Sequence, residues 1–373
     1  MMDELLAFSN TVSYDIILLR AQKDFYSSEI DRLRQKGIDV QIMPVSYGGF
    51  LKKISVRIGF ALSNLLRFRM NYNGVLGIKA MVWFLKLDLS NFSRESQIHS
   101  QFATQAALVS LLIKSYYGNA PKVSFTFHAH DIYFDNKWFN LLIQKSEKAF
   151  SISEFNIEYV SAKFQVSQKY TLSRLGVFRS KDQKSRESHK PMTLGLLSWF
   201  TEKKGIQYLL EAMASLSEEG ATDVKLVLAG DGPMKESILK FIRTHELEET
   251  VEYIGVVKGD EKDAFFSRID AFVLPSIKLE NDMDGIPVVL MEAIAKGLPI
   301  ISTDVSGIPE ICIDEFNGFL VEEKNSGQLK EAIEKLKNQP ERYTLYSNNS
   351  FDLSKEYDIE INSAKKVHLL GWQ

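Results

Sequence analysis

The chain is 373 residues long, 45% apolar and 25% charged, with a formal net charge of −3. That length is too great for one compact core and suits two α/β domains. A single cysteine, Cys312, excludes an internal disulfide and fits a reducing compartment; Lys or Arg interrupts the apolar runs before the ~18–20 residues that a membrane span requires.

Strand-like and helix-like segments alternate from the start. Asp15–Leu19 reads as a strand, Ser28–Gln35 as a helix stopped by Gly37, and Val40–Met43 as a second strand. Basic helical segments follow. Then come a strand near Ile98, a helix over 103–115, a strand at Val123–Phe127, and a strand at Phe150–Ser153 that opens a helix at Glu154. Residues 179–190 are polar and charged and read as a linker. A second series begins with a strand at 193–197 and a helix at 206–216. It continues with a strand at 225–229, a helix at 234–244, a strand at 251–254, a helix at 261–268 and a strand at 272–274. Strands alternating with helices predict parallel sheets, so the expected fold class is α/β with two doubly wound, Rossmann-like domains facing a cleft. The expected borders are 1–178 and 191–354, with a terminal helix in 355–373 packing back on the first domain. Cys312, within Pro309–Ile313, reads as a small core residue. No signal-peptide pattern is evident, and the expected location is cytoplasmic.

Charge is divided unevenly. Residues 1–190 hold 26 Lys and Arg against 16 Asp and Glu, whereas residues 191–373 hold 19 against 32. Between Val40 and Leu87 stand seven basic residues (Lys52, Lys53, Arg57, Arg67, Arg69, Lys79 and Lys86) and no acidic one. Large apolar side chains such as Phe50, Phe60, Phe68, Met81, Trp83 and Phe84 are interleaved with them. Basic amphipathic helices of this kind bind anionic membrane surfaces. The apolar partners favour lipid over nucleic acid; the alternative is a solvated helix face over an ordinary core. The expected partner is an anionic membrane surface on the inner face of the plasma membrane, met through residues 52–86, and no nucleic acid is expected.

The most informative stretch runs from Asp282 to Glu310. A strand-like run ending at Ser276 precedes Asp284 and Gly285. An apolar helical segment with Glu292, a strand over 298–302 and a Gly-containing turn follow. A Gly at a helix start after a strand is a device for holding an anion on backbone N–H groups. Asp284 and Glu292 are eight residues apart and on one helix would share a face. Such an arrangement suits a ligand with phosphate in its middle and hydroxyl-rich rings at both ends, such as a nucleotide sugar.

This segment resembles the signature of glycosyltransferase family 4, two Glu separated by seven residues and then A-x-A-x-G-x-P. The surrounding GIPVVLMEA is similar to bacterial exopolysaccharide transferases of the colanic-acid type. Matching pieces are Thr126–Ile132 (TFHAHDI), Ser151–Asn156 (SISEFN), Glu202–Gly205 (EKKG), Ala229–Pro233 (AGDGP) and Ser306–Glu310 (SGIPE). Each is weak alone; their order and spacing are specific. Three positions depart from the family pattern. Asp284 replaces a Glu, Trp199 replaces an Arg five residues before Lys204, and Phe178 follows Gly176-Val177 where Asp is common.

The resemblance implies a GT-B fold and a retaining, metal-independent glycosyltransferase. Its donor is a nucleotide-diphosphate sugar and its acceptor a glycan or lipid-linked oligosaccharide, in bacterial surface polysaccharide or capsule synthesis. No cofactor and no metal are expected. Expected catalytic residues are His128, Lys204 and Asp284. Lys204 neutralises the diphosphate, with Lys203 as an uncertain second cation, and Asp284 meets the sugar unless it is a plain helix N-cap. Trp199 either stacks on a ring or packs. Expected substrate-binding residues are Asp131, Gly230, Val256, Gly285, Ile286, Val288 and Glu292. Glu292 is assigned the ribose hydroxyls, with a structural ion pair as the alternative. His128-Ala-His130-Asp131 is assigned sugar contact, against a structural role or a metal. His99 also matches a family His, but Gln101 replaces a second one, so that site stays open. Rival readings are a weakly catalytic sugar-nucleotide-binding partner subunit and a GT-B-like sugar-nucleotide epimerase.

Overall fold

The computed structural model describes residues 16–18, 34–35, 40–42, 80–85, 87, 89–133, 136, 138–164, 170–179, 186 and 189–372. The chain divides into two compact units. Unit 1 comprises residues 1–152, 156–173 and 363–373; unit 2 comprises 153–155 and 174–362.

Unit 1 contains β1 (Ile16–Leu18) and β2 (Val40–Ile42), paired in parallel as a small ribbon. Its larger sheet is β3 (Gln97–Ser100), β4 (Lys122–Phe127), β5 (Lys148–Ser151) and β6 (Tyr170–Leu172), all parallel in the order β3-β4-β5-β6. Helices α1 (Gln105–Tyr116), α2 (Ala129–Tyr133), α3 (Phe139–Lys145) and α4 (Glu154–Phe164) connect these strands. From Val123 to Phe127 every residue of β4 is buried, as expected for a strand covered on both faces. Phe125, Phe127 and Phe139 meet edge to face in its core.

Unit 2 is a six-stranded parallel sheet. Its strands are β7 (Met192–Trp199), β8 (Val224–Asp231), β9 (Val251–Gly255), β10 (Ala271–Leu274), β11 (Ile300–Thr303) and β12 (Gly318–Val321). The spatial order β12-β11-β10-β7-β8-β9 reverses direction between β7 and β10. This is doubly wound topology with its switch point at those two strands. The helices are α5 (Ile206–Glu218), α6 (Lys235–Thr244), α7 (Asp260–Arg268), α8 (Val288–Ala295), α9 (Ser326–Asn338) and α10 (Pro340–Leu353); α11 (Ile359–Leu370) begins in unit 2 and from Ser363 onward belongs to unit 1. In α5 the buried Ile206, Leu209, Leu210, Met213 and Leu216 recur at helical spacing and face the sheet.

The strands and helices expected from 98 to 274 are present with shifted ends. Cys312 is fully buried, with its thiol against Ile300 O and Phe319 O. The structure adds β6, α2 and α3, none of which the pattern alone marks out. The charged run 179–190 is tied into unit 2 by its described residues. The Arg186 guanidinium donates to the carbonyls of Phe266, Ile269 and Lys296 at 2.9–3.0 Å, and Arg179 lies 4.4 Å over the Phe351 ring. Glu310, the last residue of the SGIPE segment, accepts the N–H of Glu154 and of Phe155 and pairs with Arg174.

The seven basic residues between 52 and 86 lie outside the described residues. Of the apolar side chains interleaved with them, Met81 and Phe84 are buried in unit 1. Those two serve a core and are not available to lipid. No described helix is long and apolar enough to cross a membrane.

Candidate functional site

The carboxyl edge of unit 2 carries the site. In open α/β sheets ligands bind outside the carboxyl ends of the strands, at the switch point. Here that point is flanked by the segment after β7, which holds Lys203 and Lys204, and the segment after β10, which holds Ser276 and Asp284. Gly205 lets these two segments touch. Its φ is +61°, and a Cβ there would lie 1.9 Å from Pro275 O. Ile277 N donates to Lys203 O at 2.8 Å, tying the segments together.

Asp284 is the centre of the cluster and is only 8% exposed. Lys204 Nζ donates to both of its carboxylate oxygens at 2.8 Å, and Ser276 Oγ donates to Oδ2 at 2.7 Å. Lys203 Nζ reaches Asp282 Oδ1 at 3.0 Å and lies 3.8 Å from Asp284 Oδ1. Two ammonium groups and two carboxylates therefore meet beside the switch point. Charge-assisted bonds of this kind hold a lysine in place until a stronger anion competes for it.

Helix α8 starts later than the sequence spacing suggests. Pro287 is its N-cap, and Val288 is its first residue. Proline disfavours helical geometry in the residue before it, so the helix cannot extend back to Gly285. Asp284 is consequently neither a cap of α8 nor on a helical face with Glu292; it is fixed by Lys204 and Ser276 in the preceding loop. Glu292, on α8, pairs with Lys262 of α7 at 2.5 Å. The ion pair weighed for this residue is thus present.

Gly230, the last residue but one of β8, has φ +137°, and a Cβ there would stand 1.9 Å from Ser198 O, so only glycine fits this position. Trp199 is the last residue of β7, Val256 follows the carboxyl end of β9, and Val288 heads α8. They are 62%, 51% and 46% exposed. Large apolar side chains at the ligand edge of a sheet are available to stack or pack on a bound molecule. Ile286 is buried and Gly285 half-buried. Lys204, Asp284, Gly285, Ile286, Val288, Glu292, Gly230 and Val256 therefore all lie in unit 2, Gly230 near the end of β8, Glu292 in the middle of α8 and the others on segments or a helix start that follow its strands.

His128 and Asp131 lie in unit 1, after β4. Asp131 is fully buried. Its Oδ2 accepts the N–H of His128 at 2.9 Å and of Ala103 at 3.1 Å. Burial pushes its pKa up to about 7, against the two backbone N–H groups that favour the carboxylate. The His128 ring rests against Phe102 at 4.6 Å. His99 Nδ1 meets Ser124 Oγ at 2.9 Å and Nε2 meets Thr126 Oγ1 at 3.0 Å. Burial, with Lys366 and His128 nearby, holds the His99 imidazole well below its usual pKa. His130 is exposed. Among the described residues no three His, Cys, Asp or Glu side chains converge as a metal site. The two residues that sequence reasoning passes over are Ser276, whose hydroxyl holds Asp284, and Lys366, buried in unit 1 on the last helix.

Residues 177–352 match the family described as "Glycosyl transferases group 1". The chain is 34% identical over 169 residues to the putative colanic acid biosynthesis glycosyltransferase WcaL of Escherichia coli, covering 44% of this chain and 41% of that protein. It is 32% identical over 173 residues to the amylovoran biosynthesis glycosyltransferase AmsK of Erwinia amylovora, covering 46% and 42%. It thus spans about two-fifths of the length of these relatives. Anabaena Alr3699/HepE, solved in complex with UDP, superposes with a TM-score of 0.72 at 13% identity, covering 100% of this chain and 96% of that one. That likeness shows the fold, which is of the GT-B type. The part of the chain that resembles the glycosyl transferases group 1 family, residues 177–352, is nearly the whole of unit 2.

Proposed function

We propose that the chain is a retaining, metal-independent glycosyltransferase. It moves a sugar from a nucleotide-diphosphate sugar to a glycan or lipid-linked oligosaccharide during bacterial exopolysaccharide or capsule synthesis. The observation that carries this reading is the Lys204–Asp284–Ser276 cluster at the switch point of unit 2. It places one ammonium, with a second at Lys203, beside a buried carboxylate at the edge where the sheet receives ligands. HepE has been solved with UDP and with UDP-glucose, which supports a nucleotide sugar as donor. WcaL and AmsK are named for colanic acid and amylovoran biosynthesis, which supports an exopolysaccharide product.

In this reading the chemistry needs stabilised charge on the departing diphosphate more than a strong base. Lys204 and Lys203 leave their carboxylates for the phosphates, and the N–H groups opening α8 add to the field. Asp284, released from Lys204, accepts from sugar hydroxyls. Glu292, released from Lys262, accepts from the ribose hydroxyls, and Val256 and Val288 flank the nucleoside. His128 and Asp131 of unit 1 act on the sugar and not on the nucleotide. The enzyme works in the cytoplasm, on the inner face of the plasma membrane, held there by the basic stretch before residue 87, with no cofactor.

The test is nucleotide diphosphate release from a panel of donors, with and without lipid-linked acceptor. Release that depends on the acceptor, with an anomer-retaining glycoside as product, is expected. Donor turnover without a glycoside would identify an epimerase, and binding without turnover a partner subunit.

A further inference from the structure

We propose that Trp199 is a stacking platform for the base of the nucleotide, so that aromatic contact and not a further cation holds that end of the donor. This rests on the nucleotide-sugar donor given above and names the residue that meets its ring.

Trp199 closes β7 on the half of the ligand edge that faces β8, in register with Asp231. Phe200 N donates to Asp231 O at 2.7 Å, and a Cβ on Gly232 would meet Phe200 O at 2.5 Å. The segment 198–200 therefore lies against the turn 230–232. Phe200 is fully buried and packs on Tyr253 of β9 at 6.1 Å, and the Tyr253 hydroxyl donates to Gly230 O at 3.0 Å. These contacts fix the backbone that carries the indole. The indole itself is 62% exposed, more than any other large apolar side chain among the described residues. Among those residues it has neither a ring partner nor a hydrogen-bond acceptor.

Three observations say what covers it. First, the ligand edge has an order. Its strands run β10, β7, β8, β9. Lys203 and Lys204 stand at the boundary of β7 and β10, tied there by the bond from Ile277 N to Lys203 O, and Val256 follows β9. Trp199, on β7 beside β8, lies between them. With strands about 4.8 Å apart, the span from the two ammonium groups to Val256 is roughly 10 Å. A nucleoside diphosphate laid along this edge, phosphates on the lysines, carries its base across β7 and β8. Second, no net positive charge stands at Trp199 to draw a phosphate. Its register neighbour Asp231 is a carboxylate, countered by Lys235 at 3.9 Å. The phosphates are left to Lys203 and Lys204, and an uncharged ring to the indole. Third, a flat π-face held on a strand suits another flat aromatic ring, and base stacking needs no hydrogen-bond register. The donor's other ring, the sugar, lies across the phosphates at Asp284 in this reading, so the base is the ring that reaches Trp199.

The experiment is a titration of the full chain, by calorimetry and by tryptophan fluorescence, with UDP, GDP and ADP and with inorganic pyrophosphate, which has the phosphates and no ring. Of the four tryptophans, Trp83, Trp138, Trp199 and Trp372, only Trp199 lies in unit 2. Its emission is the difference between wild type and Trp199→Phe. The nucleotide that binds is expected to quench that emission, and pyrophosphate to leave it unchanged. Trp199→Leu keeps apolar bulk and loses the aromatic face. It should weaken nucleotide binding about tenfold, the worth of one base stack, with pyrophosphate affinity and melting temperature unchanged, and Trp199→Phe should recover most of the loss. Nucleotide binding that leaves Trp199 emission unchanged, a Trp199→Leu variant that binds like wild type, or equal losses for nucleotide and pyrophosphate would overturn the platform and leave the donor site standing. Quenching and its loss in Trp199→Leu, in a chain that forms no glycoside from any donor, would sink the transfer reading and leave the platform. A chain that binds no nucleotide would overturn both.

Discussion

Asp284 and Lys204 are the residues on which the candidate site turns, and their pairing makes two kinds of prediction. Lys204→Ala leaves a nearly buried carboxylate with one hydroxyl donor and a distant ammonium. It should cost about 2 kcal/mol in chemical denaturation, within the range for losing a bond to a charged group, and should lower turnover further. A Lys204→Ala/Asp284→Ala pair should cost less than the two single changes together, by roughly 0.5–3 kcal/mol of coupling; strict additivity would show that the contact carries no energy. Glu292→Ala should weaken nucleotide binding by about 1–3 kcal/mol in calorimetry. Lys262→Ala separates the two roles open to this carboxylate: if Glu292 serves only the ion pair, both variants shift stability alike and neither alters nucleotide affinity. Asp131 makes a prediction about pH. Its folded pKa is raised from 3.8 to about 7 by burial, so between those values the unfolded chain releases a proton that the folded chain keeps. Stability from this group is therefore full below about pH 4 and falls as pH rises toward 7. His99, lowered by burial, acts oppositely, losing stability as pH falls through 6.5. The difference between wild type and Asp131→Asn isolates the aspartate. The variant should gain relative stability as pH is raised from 5 to 7.5, and a flat difference would remove the buried-carboxylate account.

At the scale of elements, the switch point between β7 and β10 does the positioning, and Gly205 is its tightest joint. Alanine there would set Cβ against Pro275 O at 1.9 Å with φ +61°, so overpacking adds to strain. Gly205→Ala should cost about 2–4 kcal/mol and lose nucleotide binding in step. Gly220, with φ +77° and open space around it, is the matched control and should cost only about 1 kcal/mol. A Gly205→Ala variant as stable as Gly220→Ala would show that the two loops do not abut. Much of this element layout is legible in the sequence. Long runs such as 271–274 and 192–199 announce buried parallel strands, and the glycines of AGDGP and EKKG mark the turns. What the sequence hides is decided by partners far along the chain. Pro287 moves the start of α8 beyond Asp284, yet what then fixes Asp284 is Ser276 and Lys204, eight and eighty residues away. Arg186 looks like part of a loose charged run but is held by three carbonyls from two other segments. Lys366 sits in an unremarkable helical pattern, and only the fold brings it to Gln101.

For the whole molecule, the division of charge between the two halves is the feature with the furthest reach. Residues 1–190 are net basic and residues 191–373 net acidic, so a negatively charged bilayer would attract the first half and repel the second. The acid-free stretch from Val40 to Leu87 concentrates the attraction in seven Lys and Arg. Each such residue near an anionic surface is worth roughly 1 kcal/mol. Burial of Met81 and Phe84 in unit 1 narrows the apolar contribution to the residues before them, such as Phe50, Phe60 and Phe68. Three or four basic side chains together with one of these phenylalanines would suffice for reversible attachment, and the acidic half would then stand away from the surface with its ligand edge in water. The chain should co-sediment with vesicles rich in anionic lipid, bind neutral vesicles less, and come off as salt shortens the range of the attraction. Changing Lys52, Lys53, Arg57, Arg67 and Arg69 to Gln should abolish co-sedimentation while nucleotide binding in unit 2 is unchanged. Binding that persists in this variant, or that does not distinguish anionic from neutral vesicles, would assign the stretch to ordinary structure and leave the acceptor to be met in solution.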